Sequence, residues 1–229
     1  MRLGTRGSRL ALAQARWVAD RLAGEVELVE ITTAGEDPRD VLVGVPSLDA
    51  LPEGARVGTS ALRRRAQLLA VRPDLDVVDL RGNVDTRLRR LADGEVDALV
   101  LAAAGLARLG RDDVATAAPA GPVFVPAPGQ GALLVQARVG DDRAAAVDDA
   151  GARAAVTAER RVAARLGASC RTAIGVFDDG AALRAFAGLP DGSEWLVDEL
   201  PSGGADALAE RLLATGAADL LARAEAMVA

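Results

Sequence analysis

The chain has 229 residues and a formal net charge of −6, from 27 positive side chains, all Arg, against 33 Asp and Glu; it has no His, no Lys, no Tyr and one Cys. Those absences exclude a Ser-His-Asp triad, a P-loop or Schiff-base lysine, an intrachain disulfide and the usual His and Cys zinc sets, so no metal site is expected. At 50% apolar composition the chain has material for one large domain or two to three small ones, and a soluble globular protein is expected.

From the start of the chain, Ser8 is placed to cap a helix over residues 9–23, with Leu10, Ala13, Trp17, Val18 and Leu22 on one apolar face and Gly24 to end it. Candidate strands at 3–5 and 26–32 flank it, giving a βαβ unit with a right-handed crossover. Arg2, Arg6, Arg9, Arg16 and Asp20 interrupt any apolar run here, so no signal segment is expected. No run elsewhere is long enough to span a membrane. A lone Cys without an export signal fits a bacterial cytoplasm, and the acidic balance argues against nucleic acid as a partner.

Residues 33–40 form a turn-rich connection. A strand-then-helix pattern follows three times, with strands expected at 56–58, 76–80 and 98–102, which implies a parallel sheet covered on both faces. Ligands of such sheets sit beyond the carboxyl ends of the strands. The first end presents Thr59, Ser60, Ala61 and Arg63 to Arg65; the second Arg81, Asn83 and Arg87; the third small residues and then Arg108. Guanidinium forks beside helix N-termini suit a ligand with several carboxylates. Taken singly, each arginine is more readily a solvated residue paired with a nearby acid, but recurrence at three strand ends favours an anion site. Arg65, Arg89 and Arg90 are expected to be ordinary surface residues.

Pro126 to Gly131 is a second irregular connection, and 132–139 reads as a strand returning to the first unit, so two crossings make a hinge. From Asp149 the pattern changes to a helix ending at Leu166, a Gly-Ala-Ser-Cys170 loop, three strands with a turn at Asp191-Gly192, and a helical tail. A lone cysteine is more often an inert small hydrophobe, although Arg171 beside Cys170 favours the reactive thiolate.

Five stretches together resemble the porphobilinogen deaminase (hydroxymethylbilane synthase) family: Arg2-Leu-Gly-Thr-Arg-Gly-Ser-Arg through Ala15, Val57-Gly-Thr-Ser-Ala-Leu-Arg-Arg-Arg through Leu69, Leu80-Arg-Gly-Asn-Val-Asp-Thr-Arg-Leu88, Pro126-Ala-Pro-Gly-Gln-Gly-Ala132 and the Cys170 loop. The resemblance runs in the family's order over nearly the whole chain. It implies an α/β fold with two periplasmic-binding-protein-like domains, the first truncated, and a small C-terminal α+β domain. The expected divisions are residues 1–38 with 132–148 for domain 1, an incomplete βαβ unit; 39–131 for domain 2, parallel α/β with the Arg-rich site; and 149–229 for domain 3 with the cofactor cysteine.

The resemblance also implies head-to-tail joining of four porphobilinogen units to hydroxymethylbilane, with ammonia released each time, in tetrapyrrole and heme biosynthesis. The growing chain hangs on one covalent dipyrromethane, whose thioether maps onto Cys170. By matched position Arg6, Ser8, Thr59, Ser60, Arg63, Arg64, Arg81, Asn83, Arg87, Arg108 and Gln130 belong to the cofactor and substrate site. A monomer is expected, with self-association through the truncated domain as the alternative.

One segment of the family pattern is missing. After residue 36 several dozen residues are absent, including the stretch that carries the family's catalytic Asp and a cofactor-binding Lys, so no catalytic residue is identified. Asp37, Asp40 and Asp85 are not assignable as substitutes. A carboxylate beside the pyrrole would stabilise the cation left when ammonia departs. Ala61 stands where the family usually has a second Ser. Three readings therefore stand: a deaminase, a polycarboxylate-binding protein or pseudoenzyme without turnover, and an anion-responsive regulatory domain.

Overall fold

The computed structural model describes residues 14, 16–18, 31–32, 36–135, 142–169 and 171–228. Residues 14 and 16–18 are helical, as expected. The strand expected at 3–5, most of the flanking helix and of the strand at 26–32, and the site positions Arg6, Ser8 and Cys170 lie outside the described residues.

The fold is mixed α/β. A two-residue strand β1, Ile31–Thr32, pairs antiparallel with Leu134–Val135, so the chain after the second connection does return to the first segment. Between them, β2 (Asp40–Val43), β3 (Arg56–Gly58), β4 (Asp76–Val78) and β5 (Ala98–Ala102) form a sheet in the order β2-β5-β3-β4. Strand β3 runs parallel to both β4 and β5, with helices α1 (Leu62–Val71) and α2 (Val84–Ala92) forming the connections.

The expectation of a wholly parallel sheet is corrected by β2, which runs antiparallel to β5 with Asp40 opposite Ala102 and Val43 opposite Leu99. This strand enters from the first connection rather than from a crossover helix, so nothing forces the parallel direction. Its four residues are all buried, a continuous apolar run behind one acid that carries no period-2 signal. Its outer edge is covered by the chain at 115–117, where the Leu42 amide donates to the Ala117 carbonyl at 2.7 Å.

Side chains alternate across the sheet. Leu42, Val57, Val77, Ala98 and Val100 pack with Leu68 and Leu69 of α1 on one face. Val41, Val43, Leu99 and Leu101 pack on the other with Leu88 and Leu91 of α2 and with Leu106 of the short helix α3, Ala103–Ala107. Both faces are therefore sealed, and the open positions are at the strand ends.

After the two-residue strand β6 (Leu134–Val135), helix α4, Ala150–Arg165, starts at Asp149, whose carboxylate accepts the Ala152 amide at 2.7 Å. An antiparallel meander follows: β7 (Ala173–Asp178), β8 (Ala182–Gly188) and β9 (Trp195–Pro201). Helices α5 (Ala205–Ala214) and α6 (Ala217–Met227) close a second core built on Val162, Val176, Leu183, Leu208 and Leu212. A third cluster, with Ala66 of α1, Val125, Ala173 and Phe186, joins the two sheets. At the Asp191-Gly192 turn, Gly192 has φ of +72°, and a Cβ there would lie 2.4 Å from the Leu69 carbonyl carbon. Only glycine permits that approach of the turn to the end of α1.

Candidate polycarboxylate site

A cavity of about 660 Å³ opens where the ends of β3 and β4 meet the loop before β7. Its lining includes Thr59, Ser60, Arg63 to Arg65, Asp79 and Arg81 from the first sheet, Gln130 from the second connection, and Ser169, Arg171 and Thr172 from the loop. Ser169 and Arg171 are the two sequence neighbours of Cys170, which itself lies outside the described residues. The third strand end contributes nothing to this lining.

Helix α1 begins at the cavity with Ala61 as its N-cap, extended at φ −92° and without a side-chain hydrogen bond to the first turn. Its first amides thus lack a side-chain cap beside a cavity rich in guanidinium groups. Ala61, where the sequence departs from the family's usual Ser, thus occupies the N-cap position. Thr59 is buried, and its Oγ1 accepts the Ala61 amide at 3.3 Å. Asn83 is not in the lining; its side chain caps α2 by accepting the Thr86 amide at 2.8 Å.

The arginines divide into groups. Arg63 and Arg64 converge on one buried carboxylate, Asp40, with Arg63 Nη1 at 2.6 Å and Arg64 Nη2 at 2.9 Å. Gln130 joins this cluster: its Nε2 donates to Asp40 Oδ1 at 2.9 Å, and its Oε1 accepts Arg63 Nη2 at 3.0 Å. Burial opposes the charge on Asp40, but the two guanidiniums and the bonds from Arg63 and Gln130 outweigh it and hold the carboxyl below its usual range. Burial in turn lowers Arg64, with Asp40 opposing that shift. Asp40 lies on β2 after the first connection and Gln130 in the second, so the two connections and the anion site share one electrostatic cluster.

Arg81 is exposed and donates to Asp79 Oδ2 at 3.0 Å. Arg87 reaches Ser60 Oγ at 3.2 Å and the Gly82 carbonyl at 2.9 Å, and partial burial lowers its pKa. Arg108 stands apart from the cavity: its Nη2 donates to the Gly131 carbonyl at 2.5 Å, while its Nε is buried with no partner. The structure thus brings Thr59, Ser60, Arg63, Arg64, Arg81 and Gln130 together, places Arg87 behind Ser60, and leaves Asn83 and Arg108 outside the lining.

Three residues were missed by sequence reasoning. Asp40 had a weak signal, an acid opening a buried apolar strand. Arg65 was set aside as a surface residue, yet it lines the cavity. Glu159 of α4 gave no signal at all: it is buried, accepting the Gly129 amide at 2.6 Å and the Asp178 amide at 3.0 Å. Burial, helped by the nearby Asp178 charge and opposed by those two amides, pushes its carboxyl up to about 7.

A family model described as "Porphobilinogen deaminase, dipyromethane cofactor binding domain" matches this chain over residues 1–37 and 32–146. The chain belongs to the porphobilinogen deaminase family. It is 50% identical over 203 residues to a porphobilinogen deaminase of Roseiflexus castenholzii, a match covering 81% of this chain and 66% of that relative's length. It is 39% identical to a porphobilinogen deaminase of Desulforudis audaxviator, covering 98% of this chain and 97% of the relative, and 35% identical to that of Brevibacillus brevis, covering 96% of each.

The latter two matches extend over 302 and 299 positions, more than the 229 residues present, so they bridge an internal stretch with no counterpart in this chain. The family model divides at residues 32–37, the place where the sequence pattern breaks.

The family's cofactor is dipyrromethane. The residues present fit such a group. Five lining arginines and the uncapped helix start provide donors for carboxylates, and the volume falls in the range of roughly 300–1,000 Å³ usual for small-molecule sites.

Proposed function

We propose that this chain carries the family's activity, hydroxymethylbilane synthase, joining four porphobilinogen units head to tail. In each joining the aminomethyl C–N bond breaks, ammonia leaves, and a carbon–carbon bond forms to the preceding pyrrole, which loses a proton; water then frees hydroxymethylbilane. The observation that carries this reading is the single cavity lined both by strand-end arginines and by Ser169 and Arg171, on either side of Cys170. Dipyrromethane bound through Cys170 supplies the pyrrole carbon from which the chain grows. Thr59, Ser60, Arg63, Arg64, Arg81, Arg87 and Gln130 orient acetate and propionate groups, directly or through their neighbours; Arg108, Arg6 and Ser8 complete the set by matched position.

The same reading divides the chain into three domains, 1–38 with 132–148, 39–131, and 149–229, the first two like periplasmic binding proteins. The pairing of Ile31–Thr32 with Leu134–Val135 supports the split first domain, and the Glu36 amide donating to the Gly131 carbonyl at 3.1 Å ties the two crossings together. No described helix is long and apolar enough to cross a membrane. The first domain is small, about 55 residues, near the size where a core becomes marginal. We therefore expect either reduced stability or self-association through it, which sedimentation reads directly; a tight, very stable monomer would count against that expectation.

One observation favours binding without turnover. Asp79 is the one carboxylate in the described lining, and it is bonded to Arg81. Two measurements separate the readings. The intact mass exceeds the sequence mass by one dipyrromethane if the cofactor assembles, and incubation with porphobilinogen followed by oxidation yields uroporphyrin if the chain turns over. A loaded chain that gives no uroporphyrin is a binding protein.

A further inference from the structure

The arginines assigned to the site by matched position do not account for all the positive charge in the cavity. Arg65, in the first turn of α1, donates Nη1 to the Val77 carbonyl at 2.9 Å. Arg171, in the loop before β7, donates Nη2 to the Val228 carbonyl at 3.1 Å, and its amide donates to Ser169 Oγ at 3.1 Å. Neither has a carboxylate partner among the described residues. Every other arginine in the lining does: Arg63 and Arg64 share Asp40, and Arg81 has Asp79. Arg65 and Arg171, neither of them assigned by matched position, are therefore the two lining arginines with no acid partner among the described residues.

A guanidinium has five N–H donors in a planar fork. The carbonyl bonds fix Arg65 and Arg171 through one terminal nitrogen each and leave the remaining donors for an anion. The two come from different parts of the fold, one from the first turn of α1 and one from beside Cys170, so they offer separate attachment points to a ligand with several carboxylates. We propose that Arg65 and Arg171 are carboxylate-binding residues of this site, which supply cationic charge that the family's absent segment would otherwise contribute. For the ligand class this rests on the pyrrole-polycarboxylate reading above; for the residues it rests on the unneutralised charge in the cavity.

The test uses the full chain and benzene-1,2,4,5-tetracarboxylate as probe, with binding read by titration calorimetry at low and moderate salt. The wild-type chain binds the probe. Arg65→Gln and Arg171→Gln each weaken binding about tenfold, the loss of one charge-assisted contact, and flatten its salt dependence. Arg65→Lys and Arg171→Lys, which keep the charge, recover part of the loss. Arg153→Gln removes the same unit of charge at a surface pair with Asp148 and changes affinity less than about twofold.

Urea midpoints confirm that each variant is folded; if a Gln variant is not, its Lys counterpart and the salt slope carry the comparison. Absence of probe binding by the wild type, or binding by both Gln variants as tight as that of the wild type, overturns the proposal. Intact mass after incubation with porphobilinogen is read separately. A wild-type chain that binds the tetracarboxylate through these arginines but gains no dipyrromethane supports the proposal and removes the porphobilinogen reading alone.

Discussion

At the scale of single residues, Asp40 organises the site. Its buried carboxylate compensates two guanidiniums that the fold has taken out of water, so its removal leaves both without a counter-charge. Asp40→Ala is expected to cost about 3–5 kcal/mol in urea unfolding, far more than loss of an exposed pair such as Arg81 with Asp79, which should cost below about 1 kcal/mol. Ala61 offers the opposite case. A serine there would cap α1, and Ala61→Ser is expected to stabilise the chain by about 1 kcal/mol in the same assay. The strand-end arginines were legible because strand ends can be read from periodicity and ligands gather at such ends, whereas Gln130 was legible only through the family resemblance. Which guanidinium is occupied by an internal acid was not legible, since Asp40 is 23 residues from Arg63 in sequence and meets it only through the antiparallel docking of β2.

At the scale of elements, α4 is pinned to the second connection and to β7 by Glu159. In the unfolded chain this carboxyl titrates near 4.5, and in the fold near 7. Between those values the fold keeps a proton that the unfolded chain has released, so stability falls as pH rises from about 4.5 to about 7, by about 3 kcal/mol from this group. Asp40 acts the other way at lower pH: its carboxyl is held below the usual range, so its contribution is present above that range and is lost as pH falls through it. Urea melts of Glu159→Gln should lose the decline between pH 5 and 7 that the parent shows; an unchanged decline would place its origin elsewhere. Gly131 joins the same connection to the first crossing, with φ of +92° and a virtual Cβ only 2.4 Å from the Glu36 carbonyl oxygen. Gly131→Ala is expected to cost at least about 2 kcal/mol and to disturb the crossings before either core. The strands at 56–58 and 98–102 and the helix after Asp149 were read correctly because local pattern and cap agree there. Strand β2 escaped because a short buried run has no period to detect.

At the scale of the whole molecule, the cavity draws its walls from the first sheet, the second connection and the loop before the meander. Binding there should therefore stabilise the assembled chain. A chain whose mass shows dipyrromethane is expected to unfold at a higher temperature than the unmodified chain, because the covalent group's carboxylates meet the arginines only in the fold and so favour it. Equal melting of the two would mean that the group does not engage the arginines. By itself the sequence determined the family, the order of most elements, the strand ends that carry the arginines and the break after residue 36, because motif spacing and periodicity are local properties of the chain. Only the tertiary structure decided how the charge is shared: Asp40 is shared by two arginines, Asp79 meets a third, and Arg65 and Arg171 are left without an acid partner among the described residues. That division depends on distances between residues far apart in sequence, which are set when β2, α1 and the loop before β7 pack together.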